Sequence, residues 1–257
     1  PLPLVAVPTT AGTGSEATAN AVIQVTDEAV KRSLRDDRLR PVLALVDPDF
    51  LQGADRYRLG CAGLDACAHL LESYLSSKAT PLTDQLAWAG LERAWPAVQE
   101  LAATHTLGES ARNDLALAAS WGGVCLANAR LGAAHGLVAA LCGRLPQIGH
   151  GHGVARLTGP ALLTNYAACA AAGQQPALGK IDRLIELLVP GGDAPTAAAA
   201  VQNLCDSLGI TPLADHGLNE DLYAAIAAKP SGSIATNPVA LRDEQLQTIL
   251  AGARDGR

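Results

Sequence analysis

Methionine is absent from this chain, and only 3% of its residues are aromatic. With no methionine there is no initiator at residue 1, and the opening "PLPLVAV" already reads as a strand. The expectation is a sequence that starts inside a longer protein. Few aromatics leave alanine and leucine to fill the interior, which suits closely packed helices. No apolar run reaches the ~18 uncharged residues of a membrane-spanning helix. The basic start of a secretion signal is missing as well. There is no basic stripe, and the formal net charge is -6, so nucleic acid is a poor partner. None of the six cysteines (Cys61, Cys67, Cys125, Cys142, Cys169, Cys205) forms a C-x-x-C pair. All sit in apolar helical patterns, which predicts buried free thiols in a reducing, cytoplasmic setting.

The 257 residues, 49% of them hydrophobic and 17% charged, are ample for a packed core. Three short apolar runs, residues 2–7, 21–27 and 42–48, read as strands, the first and last as buried ones. "EAVKRSLRDDRLRP" between them reads as a charged turn. Beyond residue 53 helical spacing takes over, with helices expected near 53–58, 61–78, 81–105, 109–130, 134–143, 153–168, 176–188, 195–208, 219–228 and 241–254. The predicted class is a small α/β part, residues 1–52, followed by a larger all-helical part, residues 53–257.

Three stretches can carry chemistry. "PTTAGTGSE" follows the first strand. Its glycines let the backbone approach a bound group, and Thr9, Thr10 and Thr13 add hydroxyl donors; read alone it is equally a tight turn. "GLDACAHLLESYLSS" sets Asp65 and His69 four apart, on one face of a helix. In isolation Asp65 serves the helix dipole and His69 the core. "GAAHGLVAALCGRLPQIGHGHGVA" holds His135, His150 and His152 among small apolar residues. One carboxylate oxygen and three imidazole nitrogens suit a divalent first-row ion such as Fe²⁺ or Zn²⁺. His105 and His216 read as surface or capping residues.

In that order, "VPTTAGTGSEAT", "GLDACAHLLESYLS" and "GAAHG…GHGVA" resemble the iron-containing (group III) alcohol dehydrogenase family. The ending "ATNPVALRDEQLQTILAGA" is similar too, so the likeness spans nearly the whole chain. The resemblance implies an α/β dinucleotide-binding domain, here its C-terminal part, followed by a helical domain, with the active site in the cleft between. It implies metal ligands Asp65, His69, His135 and His152, with His150 as the competing fourth ligand. It implies nicotinamide-cofactor contacts from Thr9, Thr10, Thr13, Thr18 and Lys31. The activity implied is hydride transfer between an alcohol or aldehyde and NAD or NADP. The metal, Fe²⁺ or Zn²⁺, would be the Lewis acid. A homodimer is the implied assembly.

Three departures stand out. The family's glycine-rich pyrophosphate loop lies well upstream of the threonine-glycine stretch, so it is expected before Pro1, in keeping with a sequence that starts inside a longer protein. A second histidine, common four residues after the third ligand, is Ala139 here. The gap from His135 to His152 is about three residues longer than usual. The nearest alternatives are a zinc-dependent polyol dehydrogenase or related lyase, and a catalytically silent truncated relative serving as a binding module.

Overall fold

Side-chain caps start several of the helices. Asp55 accepts from the Arg58 amide, Thr80 from Thr83 and Asp193 from Thr196, satisfying amides that a helix start leaves bare. In the computed structural model, residues 2–25, 27 and 30–256 are described, the side chains of Val30 and Lys31 excepted. The α-helices among them are α1 (Arg56–Leu75), α2 (Pro81–Thr104), α3 (Glu109–Ala129), α4 (Ala133–Arg144), α5 (His150–Ala171), α6 (Gln175–Leu188), α7 (Ala194–Ser207), α8 (Tyr223–Ala227) and α9 (Asp243–Asp255). None precedes Arg56, so a small strand-bearing part is followed by a larger helical one, as the composition predicts.

Two expected helices at the start of this region are one. Gly60 does not break α1, because it lies where Leu208 packs, and a Cβ there would stand 3.0 Å from that side chain. The expected helix over 219–228 is a single 3-10 turn and the short α8. Helix α5 opens at His150 rather than at residue 153.

The strands are β1 (Val5–Ala6), β2 (Asn20–Val25), β3 (Val30–Arg35) and β4 (Leu43–Ala44). β1 pairs parallel with β4, and β2 antiparallel with β3, with Gln24 opposite Lys31. β3 corrects the charged-turn reading of residues 28–41. It pairs residue for residue with β2, and a hairpin in which the consecutive Val22 and Ile23 are both more than half exposed leaves the charges in water. The buried-strand reading of 2–7 and 42–48 is also corrected: Leu2 is 91% and Val42 71% exposed. Their unbroken apolar run is that of a parallel strand covered on both faces, and the two-stranded β1–β4 pair has no such cover among the described residues.

The helical part has two apolar centres. One joins α1, α2 and α3 to α6 and α7 through Leu70, Leu91, Leu101, Leu115, Leu184 and Val201. The other joins α4 and α5 to α8 and α9 through Leu137, Leu141, Leu157, Ile226 and Ile249. All six cysteines are free thiols, five of them buried. No single helix among the described residues is long and apolar enough to cross a membrane.

Candidate metal centre

Helix α1 lays Asp65, His69 and Glu72 along one face, at spacings of four and three residues. All three are buried. Helix α4 begins against that face, and its opening amides find acceptors there: Ala134 N–H donates to Glu72 Oε1 (2.6 Å) and Ala133 N–H to Asn237 Oδ1 (3.1 Å). The same junction orients His135. Its Nδ1 lies 2.7 Å from Glu72 Oε2 and its Nε2 3.3 Å from Asp65 Oδ1. Helix α5 brings His150, whose Nε2 is 3.7 Å from Asp65 Oδ1.

Asp65, His135 and His150 each offer a ligand atom, all within 4.8 Å of one another. His69 stacks on His135 with ring centroids 4.5 Å apart. Its Nδ1 donates to the carbonyl of Gly12 (3.2 Å), in the threonine-glycine loop after β1. That loop reaches the helices because two glycines meet: Gly14, at φ 55°, lies against Gly123 of α3, where a Cβ would fall 2.0 Å from the Gly14 carbonyl oxygen.

The nitrogens fit a divalent ion. A neutral imidazole carries one N–H and one lone pair. In His69 and His135 an acceptor holds Nδ1–H, which leaves the Nε2 lone pair for an ion. The electrostatics agree for Asp65 and His69, whereas His135 would have to give up a proton to an ion. Burial alone would raise the Asp65 carboxyl, but His69, His150 and His135 outweigh it and hold Asp65 below the usual carboxylate range. Burial pushes His69 down to about 4, so its ring is neutral. Burial works against charge on His135 too, yet its hydrogen bonds to Asp65 and Glu72 raise it to about 9.

The structure does not bring His152 into this group, which corrects the expected fourth ligand. Both of its nitrogens are spent: Nε2–H donates to the Thr211 carbonyl (2.8 Å) and Nδ1 accepts from the Tyr57 hydroxyl (3.0 Å). His216 meets its ring edge-on. Burial pushes His152 down to about 4. The reason is helical register: two residues along a helix are about 200° apart, so His150 and His152 face opposite ways. The Thr211 carbonyl is also held by Arg156, a fully buried guanidinium that bonds Gln202, Asp206 and the Ile210 carbonyl as well.

Thr9, Thr10 and Thr13 are exposed on the loop. The Thr13 hydroxyl bonds Ser15, and the buried Thr18 hydroxyl donates to the Ser15 carbonyl (3.1 Å). Thr18 also lines a cavity of about 320 Å³ with Asn20, whose Oδ1 is buried without a hydrogen-bond partner among the described residues. The Lys31 backbone lies in β3, and its side chain is outside the described residues. Ala139 stands in the wall of a larger cavity, of about 850 Å³, between α4, β3 and residues 229–233. His105 ends α2 in the left-handed region, a capping role, and His216 bonds the Thr211 hydroxyl.

Sequence reasoning missed Glu72, Asn237 and the Gly12 carbonyl. Glu72 was findable, since it stands seven residues after Asp65 on the same helical face. The other two are far apart in the chain from what they hold.

Two family models match. The C-terminal model of the Fe-containing alcohol dehydrogenase family covers residues 61–254, and the iron-containing alcohol dehydrogenase model covers 1–48. The probable alcohol dehydrogenase EutG of Salmonella typhimurium is 31% identical over 256 residues, which is 98% of this chain and 62% of that protein. The NAD-dependent methanol dehydrogenase of Bacillus methanolicus is 35% identical over 138 residues, 53% of this chain and 35% of that protein. The solved alcohol dehydrogenase from Oenococcus oeni superposes with a TM-score of 0.84 at 26% identity, covering 98% of this chain and 66% of that one. The chain thus spans less than two thirds of the length of either curated relative.

Proposed function

This chain belongs to the iron-containing alcohol dehydrogenase family, and from that premise we propose that it is the metal-holding part of an NAD(P)-dependent alcohol dehydrogenase or aldehyde reductase. Its substrate would be a small alcohol or aldehyde. Residues 1–52 would be the C-terminal part of the cofactor domain, and 53–257 the metal-binding catalytic domain. Asp65, His69, His135 and His150 would hold Fe²⁺ or Zn²⁺. The observation that carries this reading is the pair of pinned imidazoles: Gly12 and Glu72 fix the Nδ1–H of His69 and His135, and both Nε2 atoms remain as donors.

The bound ion would supply Lewis acidity toward an alcohol or carbonyl oxygen. The protein's own residues do the rest. Asp65 brings negative charge into a buried set of imidazoles and so offsets part of the ion's charge. The half-exposed His150 leaves one side of the cluster open toward solvent, the side from which a substrate would come. Thr9, Thr10, Thr13, Thr18 and Lys31 would meet the nicotinamide cofactor. The loop bearing the threonines is joined to His69 through Gly12, which would keep cofactor and metal in fixed relation. Apolar packing of α4 and α5 keeps water from the buried side.

Elemental analysis of protein purified without air or chelator tests the reading. About one iron or zinc per chain is expected, falling to near zero in Asp65→Ala and His69→Ala. A folded, metal-free wild-type chain would return these side chains to the core and end the assignment.

A further inference from the structure

The 850 Å³ cavity beside the metal centre is built from one sign of charge. Arg32 and Arg35 of β3 and Lys229 of the loop after α8 line it, with Ser231 and Ser233 adding hydroxyls and no carboxylate in its wall. Chance distribution is a poor account in a chain of net charge -6. The neighbouring arginines are neutralised locally: Arg38 pairs with Asp36 (2.7 Å) and Arg40 with Asp37 (3.2 Å). Arg35 and Lys229 form no ion pair among the described residues.

The cavity is also tied to the centre. Ser231 N–H donates to the Gly136 carbonyl (2.8 Å), and the Ser231 hydroxyl donates to the His135 carbonyl (3.2 Å). Ala139, in the cavity wall, lies one helical turn beyond His135 on the same face of α4. Alanine there leaves room where a larger side chain would fill it.

From this we infer that the cavity beside His135 receives an oxyanion, so that Arg35 and Lys229 select ligands bearing a carboxylate or phosphate. The inference deepens the dehydrogenase reading, on which it rests for the nature of the nearby centre. Arg35 and Lys229, brought to one cavity with no ion pair among the described residues, repel one another and are relieved by an anion. Guanidinium and ammonium groups supply charge-assisted hydrogen bonds to carboxylate or phosphate oxygens. An anionic tail held there would leave the other end of a short chain toward the metal. The anion has two sources, the carboxylate of a hydroxy-acid substrate or a phosphate of the cofactor.

Calorimetry at low ionic strength on the full chain tests this. The probes are 5-hydroxypentanoate and 1-pentanol on the metal-loaded chain, and pentanoate and inorganic pyrophosphate on the metal-free chain. Binding of 5-hydroxypentanoate about tenfold or more tighter than 1-pentanol is expected, with the difference lost in Arg35→Gln and Lys229→Gln. Both variants should keep wild-type metal content, which separates a lost anion site from a lost fold. Pyrophosphate binding with the same sensitivity, while pentanoate is not bound, supports the oxyanion site and names phosphate as its source. Equal affinity for charged and neutral probes, or anion binding indifferent to both variants, overturns the inference. Pentanoate bound in a chain that takes up no metal would sink the metal reading and leave this one standing.

Discussion

Glu72 Oε2 stands 2.7 Å from His135 Nδ1, and the same carboxylate accepts from the backbone amides of Ala134 and His135. One side chain of α1 thus fixes both the start of α4 and the ring orientation of a candidate ligand. Glu72→Gln keeps the shape and removes the charge. It is expected to weaken metal affinity by about 10–100-fold, measured by competition with a chromophoric chelator. Unchanged affinity in a variant of unchanged melting temperature would make Glu72 a helix cap and nothing more.

His150 and His152 separate by substitution. His150→Ala should cut metal affinity sharply and leave thermal stability near wild type, because His150 is half-exposed. His152→Ala should keep metal stoichiometry but cost about 1–3 kcal/mol, since the Thr211 carbonyl and Tyr57 hydroxyl lose their partner. The reverse pattern would put α5 in the other register.

In the metal-free protein His135 sits at about 9, above its unfolded value near 6.5. Its charged form therefore contributes stability that is complete below about pH 6.5 and is lost as pH rises through about 9. An ion needs the neutral ring. Metal uptake at pH 7.5 should release about one proton per chain from this site, read by calorimetry in buffers of differing ionisation enthalpy. No release would mean that His135 is already neutral or not a ligand. His69 and His152, both near 4, work in the other window: their contribution is complete above about pH 6.5 and fades as pH falls toward 4.

Gly123→Ala should be costly although it adds one methyl. The new Cβ would meet the Gly14 carbonyl oxygen at 2.0 Å, backbone against backbone. A loss of about 1–3 kcal/mol or more is expected, with weaker metal retention as the loop carrying Gly12 moves from His69. A melting temperature within a degree of wild type would show that the loop does not depend on this contact.

Much of the helical part was legible because its periodicity and caps are local. The four-residue spacing of Asp65 and His69 sets both on one face, and α1 has them buried there. The His150–His152 choice was not legible, since "GHGHG" offers either histidine and only the helix start decides which faces α1. β3 was missed because its charges mimic a turn until β2 is laid beside it. Gly12 and Asn237 act through backbone geometry and long-range closure, on which short-range pattern is silent.

If His69 holds an ion as proposed, the Gly12–His69 hydrogen bond would make the loop and the ion share one equilibrium. An ion that draws His69 into its shell also holds the loop, and any ligand that repositions the loop must alter how tightly the ion is kept. Linkage would make this coupling reciprocal: the factor by which a ligand on the loop changed metal affinity would be the factor by which metal changed that ligand's affinity. Stripping the ion would then cost the protein part of its grip on a molecule the ion need never touch.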